Sequence, residues 1–297
     1  MMLKRLMPEK LKNVACSLLG RAGFHQSYVA PPIDLRGLLD NPAEAIGRSA
    51  GNPVLVNLPL ASCRSMLAVA FACTNTSGQP FIDTARGILN GSVTGYIGSP
   101  LQRYYESFQP SNLAELLGIE PTDKGPASRL PPYAFVFPWH GTPTVQQCRI
   151  KSQKIRKENM FHGSKLSGSN GWHLIGPISP EKGILEFERL SKTLCSIQKN
   201  GYKRNNGPDG DMVGVILVRD DTCVAVIAPG QHRISALVAL GYDKAPVRIS
   251  CTFVPIVYRE TATSWPAVKN GFMTVEQALS VFDRVFEGQQ PPGFSKT

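Results

Sequence analysis

The sequence predicts an α+β fold in which a carboxy-terminal α/β domain follows an amino-terminal region that mixes helices and strands. Runs of apolar and β-branched residues at 53–58 and 222–228 have the length of buried strands. Residues 101–108 have a helical pattern, and Ser111-Asn112 can cap a further helix that ends at Gly118. At 297 residues, 42% of them hydrophobic, the chain can form one large domain or two of ordinary size.

The amino-terminal region, residues 1–120, is predicted to begin with a basic helix at 1–24. Its apolar residues Leu11, Val14, Leu18 and Leu19 share one helical face. Such a helix packs on the body of the protein, which is the interpretation we favour, or lies on an anionic bilayer. A helix that starts at Pro42 and a buried stretch at 65–72 are predicted to follow.

Residues 121–170 are predicted to be a linker followed by a basic segment. The stretch 121–132 is rich in Pro and Gly, as linkers are. Residues 149–157 predict a helix with a basic stripe, which is either a solvated face or a wall that meets an anionic substrate. The glycine- and serine-rich loop 163–171 lacks the Gly-Lys-Ser/Thr ending of a P-loop, so we do not interpret it as one.

The cysteine content, the apolar stretches and the net charge limit the classes to which this protein can belong. The seven cysteines show no paired metal spacing, which predicts reduced thiols in a cytoplasmic protein, and a zinc site with His140, His162 or His173 is not favoured. No uninterrupted apolar stretch approaches the ~20 residues of a membrane span. The net charge of +10 suits nucleic acid, an anionic membrane surface or nucleotide phosphates as partners.

Aromatic residues in the front half of the chain are predicted to belong to the core, although such side chains also line sugar or nucleoside pockets and stack on bases. They are Tyr96, Tyr104, Tyr105, Phe108, Phe135, Phe137 and Trp139.

The third segment, residues 171–297, contains the strongest functional signal. Gly230, Gln231, His232 and Arg233, here called the GQHR turn, stand between a predicted strand and a predicted helix. Glycine lets a ligand approach the main chain, the helix start offers unpaired N–H groups, and arginine donates two hydrogen bonds to phosphate. His232 adds a donor whose charge depends on its surroundings. The turn predicts an anion site, most simply for phosphate.

Residues 184–249 resemble the ParB/sulfiredoxin-like superfamily, in which a helix, two strands and a Gly-x-x-Arg turn with its helix recur in this order. The resemblance rests on the helix 187–201 with its Leu, Ser-Ile and Gly positions, the strands 213–218 and 222–228, the GQHR turn and Pro246-Val-Arg. It covers about a fifth of the chain. The segment 203–211 is an insertion relative to the compact family pattern, and we expect a loop that lies over the site.

The resemblance implies a nucleotide, ATP or CTP with Mg²⁺, bound through its phosphates at the GQHR turn. It also implies a glutamate near the start of the first helix as the catalytic base of a phosphotransferase, with Glu186 and Glu188 as candidates and His232 as a further one. Gln231 stands where sulfiredoxins have a reactive cysteine and the partition proteins usually an acidic residue, which argues against both of those chemistries. His173, on a predicted strand at 172–175, is a weaker candidate.

Two other functions remain open at this level. The basic segment suits a nucleic-acid-binding module that contacts the phosphate backbone. The first helix suits a peripheral-membrane factor that acts on anionic glycan precursors. The only clear helix after residue 250 is 274–287, whereas the partition proteins follow this domain with several helices, and the tail 289–297 is predicted to be loose.

Overall fold

A computed structural model describes residues 31–119, 125–204, 210–249 and 254–294. Within these ranges the chain forms a mixed α/β fold, as predicted. The helices are α1 (Pro42–Gly47), α2 (Pro80–Leu89), α3 (Pro100–Ser107), α4 (Leu113–Leu117), α5 (Val145–Phe161), α6 (Pro180–Asn200), α7 (Gln231–Ala239), α8 (Pro266–Lys269) and α9 (Val275–Glu287). The strands are β1 (Ile33–Asp34), β2 (Val54–Pro59), β3 (Cys63–Ser65), β4 (Phe71–Ala72), β5 (Val213–Arg219), β6 (Thr222–Ile227), β7 (Lys244–Ile249) and β8 (Ile256–Tyr258).

All eight of these strands belong to one mixed sheet with the order β1-β2-β7-β5-β6-β3-β4, and β8 pairs with β5 beside β7. Strand β2 is antiparallel to β7, and β3 runs parallel to β6. The sheet therefore joins strands from residues 33–72 to strands from residues 213–258. The first and third segments proposed from the sequence share this sheet and one hydrophobic core.

The carboxy-terminal order α6-β5-β6-α7 agrees with the helix, strand, strand and turn-helix predicted from the sequence, and strand β7 follows it. Strands β5 and β6 form an antiparallel hairpin from Gly214 opposite Ile227 to Arg219 opposite Thr222. Helices α2, α6 and α7 pack against one another, and α7 buries the consecutive residues 234–238 between its neighbours. The GQHR turn is thereby held between the sheet and α6.

Capping residues set several helix ends where the sequence predicts them. The Asn112 side chain accepts a hydrogen bond from the Glu115 amide at 3.0 Å, and Gly118 ends α4 in the left-handed conformation. Thr274 starts α9 with a reciprocal capping box to Gln277. The seven front-half aromatics named above are all buried, so their assignment to the core is confirmed.

Two local predictions are wrong. Residues 172–175 form turns rather than a strand, because the carbonyls of His173 and Leu174 accept hydrogen bonds from the hydroxyls of Tyr105 and Tyr104 instead of a neighbouring strand. The tail is not loose at Phe294, whose ring packs against those of Phe71 at 5.3 Å and Phe108 at 5.7 Å.

The predicted leading helix lies outside the described residues, as does part of the predicted linker at 121–132. The described remainder of that linker contains the short 3₁₀ turns Pro126–Arg129 and Pro132–Ala134. Among the described helices none is long and apolar enough to cross a membrane.

Candidate phosphate-binding cleft

The GQHR turn leaves the start of α7 open to a ligand. Gly230 is the N-cap residue and has a φ of +131°, a region that side chains rarely adopt. It supplies no side-chain cap to the first amides of the helix, and the first backbone bond of the helix is from Ile234 N to Gly230 O at 2.9 Å. A Cβ atom on Gly230 would lie 2.8 Å from Cγ of Met212. The N–H groups at this end of the helix are thus suited to bind an anion.

Arg233 connects the turn to the segment predicted to lie over it. Its Nη1 atom donates to the carbonyl oxygen of Gly210 at 2.6 Å. At the same end of the hairpin, Arg204 forms a two-pronged pair with Asp211, with distances of 2.8 and 2.9 Å. Residues 205–209 lie outside the described ranges, but the described ends of this segment stand beside the turn. Arg233 is placed where the sequence predicts a phosphate ligand.

The Gln231 side chain is bound to neighbouring elements of the protein. Its Oε1 atom accepts a hydrogen bond from the Met66 amide at 3.0 Å, and its Nε2 atom is 3.3 Å from the Ser235 hydroxyl. Met66 and the following Leu67 have φ values of 60° and 48°, which are unfavourable for residues with side chains. The Gln231 side chain therefore supports a strained wall of the cleft.

Glu186 lies directly under the turn and is completely buried. Its carboxylate is 2.5 Å from Nζ of Lys182, 3.0 Å from Nη1 of Arg189 and 2.9 Å from Nε2 of His232. Burial opposes its ionisation, but the contact with His232 and the charge of Arg189 hold the pKa of Glu186 well below its usual value. Arg189 also contacts Glu158 at 3.0 Å, so the buried charges are mutually compensated.

His232 lines the cleft together with Arg189 and Glu158 of this cluster. The contact between its Nε2 atom and Glu186 has ion-pair distance, although the N–H direction is not that of a well-formed hydrogen bond. Burial, together with the nearby Arg189 charge, lowers the pKa of His232, while Glu186 acts in the opposite direction. A neutral ring with its proton on Nε2 leaves the lone pair of Nδ1 for a ligand.

The two glutamate candidates have different positions. Glu188 is exposed on the outer face of α6, where its carboxylate lies 3.4 Å from Nζ of Lys192. Glu186 is brought together with the GQHR turn, and Glu188 is not. Sequence reasoning missed Lys182 and Arg189, although their spacing of four and three residues from Glu186 places all three on one helical face.

A cleft of about 1380 Å³ opens beside the turn. One wall is the GQHR turn with Met66 and Leu67, and the other consists of α5, the inner face of α6 and aromatic residues 135–139 and 172. The cationic side chains that line it are Lys151, Lys154, Arg189, Lys192, Lys203, Arg204 and Arg233, and the carboxylate among the described lining residues is Glu158. We call this space the cationic cleft. Its charge favours a polyanionic ligand.

The remaining candidates do not assemble a metal centre. Burial lowers the pKa of His173 and of His140 to about 4, so both rings are neutral at pH 7. No group of three or more His, Cys, Asp or Glu side chains suited to a metal occurs among the described residues. Cys63 and Cys73 are buried, and their burial raises the pKa of both thiols, that of Cys73 to about 12.

The fold and the site define a mixed α/β protein with a cationic cleft at a glycine turn. Comparison with protein-family models, with curated proteins and with solved structures gives no match for this chain.

Proposed function

We propose that this protein binds a nucleoside triphosphate in the cationic cleft and transfers or hydrolyses its terminal phosphate. The observation that carries the proposal is the uncapped, glycine-led start of α7 opening into a cleft with seven cationic side chains and a single carboxylate among the described lining residues. The resemblance of residues 184–249 to the ParB/sulfiredoxin-like superfamily supports the same assignment, and ATP or CTP is the nucleotide it implies. We place this activity in the cytoplasm.

In this proposal the phosphates lie on the amides of the GQHR turn. The guanidinium of Arg233 is the side-chain ligand closest to them, because it follows the turn directly and already donates to a backbone oxygen at 2.6 Å. Lys203, which also lines the cleft, adds positive charge from the neighbouring segment, whereas the charge of Arg204 is balanced by Asp211. A triphosphate would find donors on two sides of the turn.

His232 is the group we propose as the general base. Glu186 is fully buried and therefore acts through His232, by holding the ring with Nε2 turned away from the cleft. The oxygen of a hydroxyl or of water forms a bond to the γ-phosphorus while the bond from that phosphorus to the bridging oxygen breaks. The proton of the attacking group passes to Nδ1 of His232, and the nucleoside diphosphate carries away the leaving electron pair.

Mg²⁺ is implied with the nucleotide, but the described residues do not fit a protein-held site for it. The carboxylates near the turn among the described residues, Glu158, Glu186 and Asp211, are already paired with Arg189, Lys182 or Arg204. A magnesium ion prefers carboxylate and phosphate oxygens and usually keeps several waters. We therefore derive no step through the metal and expect it to arrive on the nucleotide.

Calorimetric titration with ATP and CTP in the presence of Mg²⁺ tests the proposal. Wild-type protein should bind one of them, and Arg233→Ala should weaken that binding about tenfold or more, because a charge-assisted hydrogen bond is worth roughly 1.5–3 kcal/mol. Arg48→Ala is the matched control, since Arg48 is 67% exposed and does not line the cleft. Absence of binding for both nucleotides, or equal losses in the two variants, would sink the proposal.

The exposed basic face of α5 supports a second proposal, binding to the phosphate backbone of nucleic acid. Arg149, Arg156 and Lys157 are all exposed on this helix. Retention of duplex DNA on a filter should then fall steeply with rising salt. Absence of retention even at low salt excludes this function.

The membrane proposal depends on residues 1–23, outside the described part, and liposome sedimentation with and without them tests it.

A further inference from the structure

The cationic cleft is larger than one nucleotide requires. Pockets that enclose a single drug-sized ligand measure about 300–1,000 Å³, whereas this cleft measures about 1380 Å³. The GQHR turn occupies one wall. The opposite wall, formed by α5 and the aromatic residues beside it, would remain accessible when phosphates occupy the turn.

That opposite wall has its own positive charge. Lys151 and Lys154 both line the cleft from α5, and within the described residues neither forms an ion pair with a carboxylate. We call these two side chains the lysine wall. The nearby Glu158 is already paired with Arg189 at 3.0 Å. Two ammonium groups without carboxylate partners inside one cleft favour an anionic ligand.

Lys151 is held in place for such a ligand. Its Nζ atom donates to the carbonyl oxygen of Phe135 at 2.8 Å and lies 4.3 Å from the ring centre of Trp172. Burial lowers the pKa of Lys151 to about 8, so the ammonium is still mostly protonated at pH 7. Apolar side chains, among them Ile150 and Phe161, continue the same wall. The wall therefore combines fixed positive charge with apolar surface.

We propose that the lysine wall is the acceptor subsite of the proposed phosphotransferase, and that the acceptor is a small hydroxyl compound bearing its own phosphate or carboxylate on an apolar or planar body. The acceptor role of this subsite rests on the proposed phosphotransferase function. The anion subsite itself stands on the volume of the cleft and on the contacts of Lys151 and Lys154.

Phenyl phosphate is the probe, and benzyl alcohol is its neutral counterpart. Calorimetry should detect phenyl phosphate binding both without nucleotide and with saturating nucleotide and Mg²⁺, and it should detect no comparable binding of benzyl alcohol. Lys154→Ala, an exposed position whose loss does not endanger folding, should weaken the binding at least fivefold. Lys151→Met, which keeps the packing on the rings, should have a similar effect.

Lys199→Ala is the control, because Lys199 is exposed on α6 and does not line the cleft. It should change phenyl phosphate affinity less than twofold. Loss of phenyl phosphate binding in Arg233→Ala, displacement of the probe by nucleotide, equal binding of benzyl alcohol, or no binding at all would overturn the subsite. Binding of phenyl phosphate without any nucleotide binding would instead overturn the proposed function and leave an anion site at the lysine wall.

Discussion

Glu186 is the central residue of the buried charge cluster under the GQHR turn. It is completely buried and contacts Lys182, Arg189 and His232 within 3.0 Å. Removing a charge from such a cluster leaves the partners buried without compensation, which costs more than the pair itself contributes. The carboxylate therefore serves both the stability of α6 and the orientation of His232.

Glu186→Gln should lower the free energy of unfolding by about 3–5 kcal/mol, because Lys182 then lacks its buried counter-charge, whereas Arg189 keeps its pair with Glu158. Glu188→Gln on the same helix should change it by less than about 0.5 kcal/mol, since Glu188 is exposed. Urea unfolding monitored by circular dichroism measures both. Equal effects of the two substitutions would contradict the assignment of the buried cluster to Glu186.

The sequence contained a signal that separates the two glutamates. Glu186 shares one face of α6 with Leu190, Leu194 and Ile197, all of which are buried, whereas Glu188 falls on the other side. Helical phase thus indicates burial of Glu186 directly. Its contact with His232 could not be predicted in the same way, because α7 reaches it only through the tertiary packing of two helices.

At the scale of elements, the strand-turn-helix unit around Gly230 was predictable because each of its signals is local. The apolar run, the glycine and the helical pattern lie next to one another in the chain, and β6 and α7 form close to the predicted positions. The segment 172–175 was predicted incorrectly because its backbone partners are tyrosine hydroxyls from α3, nearly 70 residues earlier. Local pattern holds no information about such partners.

Gly230→Ala should destabilise the protein by about 1–3 kcal/mol and weaken nucleotide binding. The backbone strain at a φ of +131° is one cause, and the 2.8 Å approach to Met212 is the other. Gly241→Ala is a suitable comparison, because Gly241 also has a positive φ, +79°, but open space around it. Chemical denaturation of both variants measures the difference, and a larger loss for Gly241→Ala would refute the role of the close approach.

At the scale of the whole molecule, histidines whose pKa is lowered by partial burial couple stability to pH. The pKa of His173 and of His140 is lowered to about 4 by burial, against 6.5 in the unfolded chain. Their contribution is complete above pH 6.5 and is lost as the pH falls towards 4, because only the unfolded state binds the protons in that interval. Each histidine should contribute a slope of about 1.4 kcal/mol per pH unit.

Urea unfolding at several pH values between 7 and 4.5 measures that slope. His173→Gln and His140→Gln should each lower the slope, and the double variant should lower it further and leave the contribution of His232, whose pKa is also lowered by burial. Stability that stays constant from pH 7 to 4.5 in the wild type, or a slope that both substitutions leave unchanged, would show that these rings are not buried as described.

Most of the secondary structure could be predicted from the sequence, but the sheet order could not. Pairing of β2 with β7 and of β3 with β6 joins residues separated by more than half of the chain. Apolar alternation identifies each strand and says nothing about which partner it chooses. The cationic cleft could not be predicted for the same reason, because its two walls come from α5 and α6 on one side and from α7 on the other.

The same pairing determines when the protein can complete its fold during synthesis. Strand β2 ends at Pro59, yet its long antiparallel partner begins only at Lys244. At roughly 5–20 residues per second, a ribosome needs on the order of 10–40 s to make the intervening chain. During that time the apolar strand β2 can pair with the two-residue strand β1 but not yet with β7. The apolar strand β2 therefore lacks its long partner until the last fifth of the chain is made.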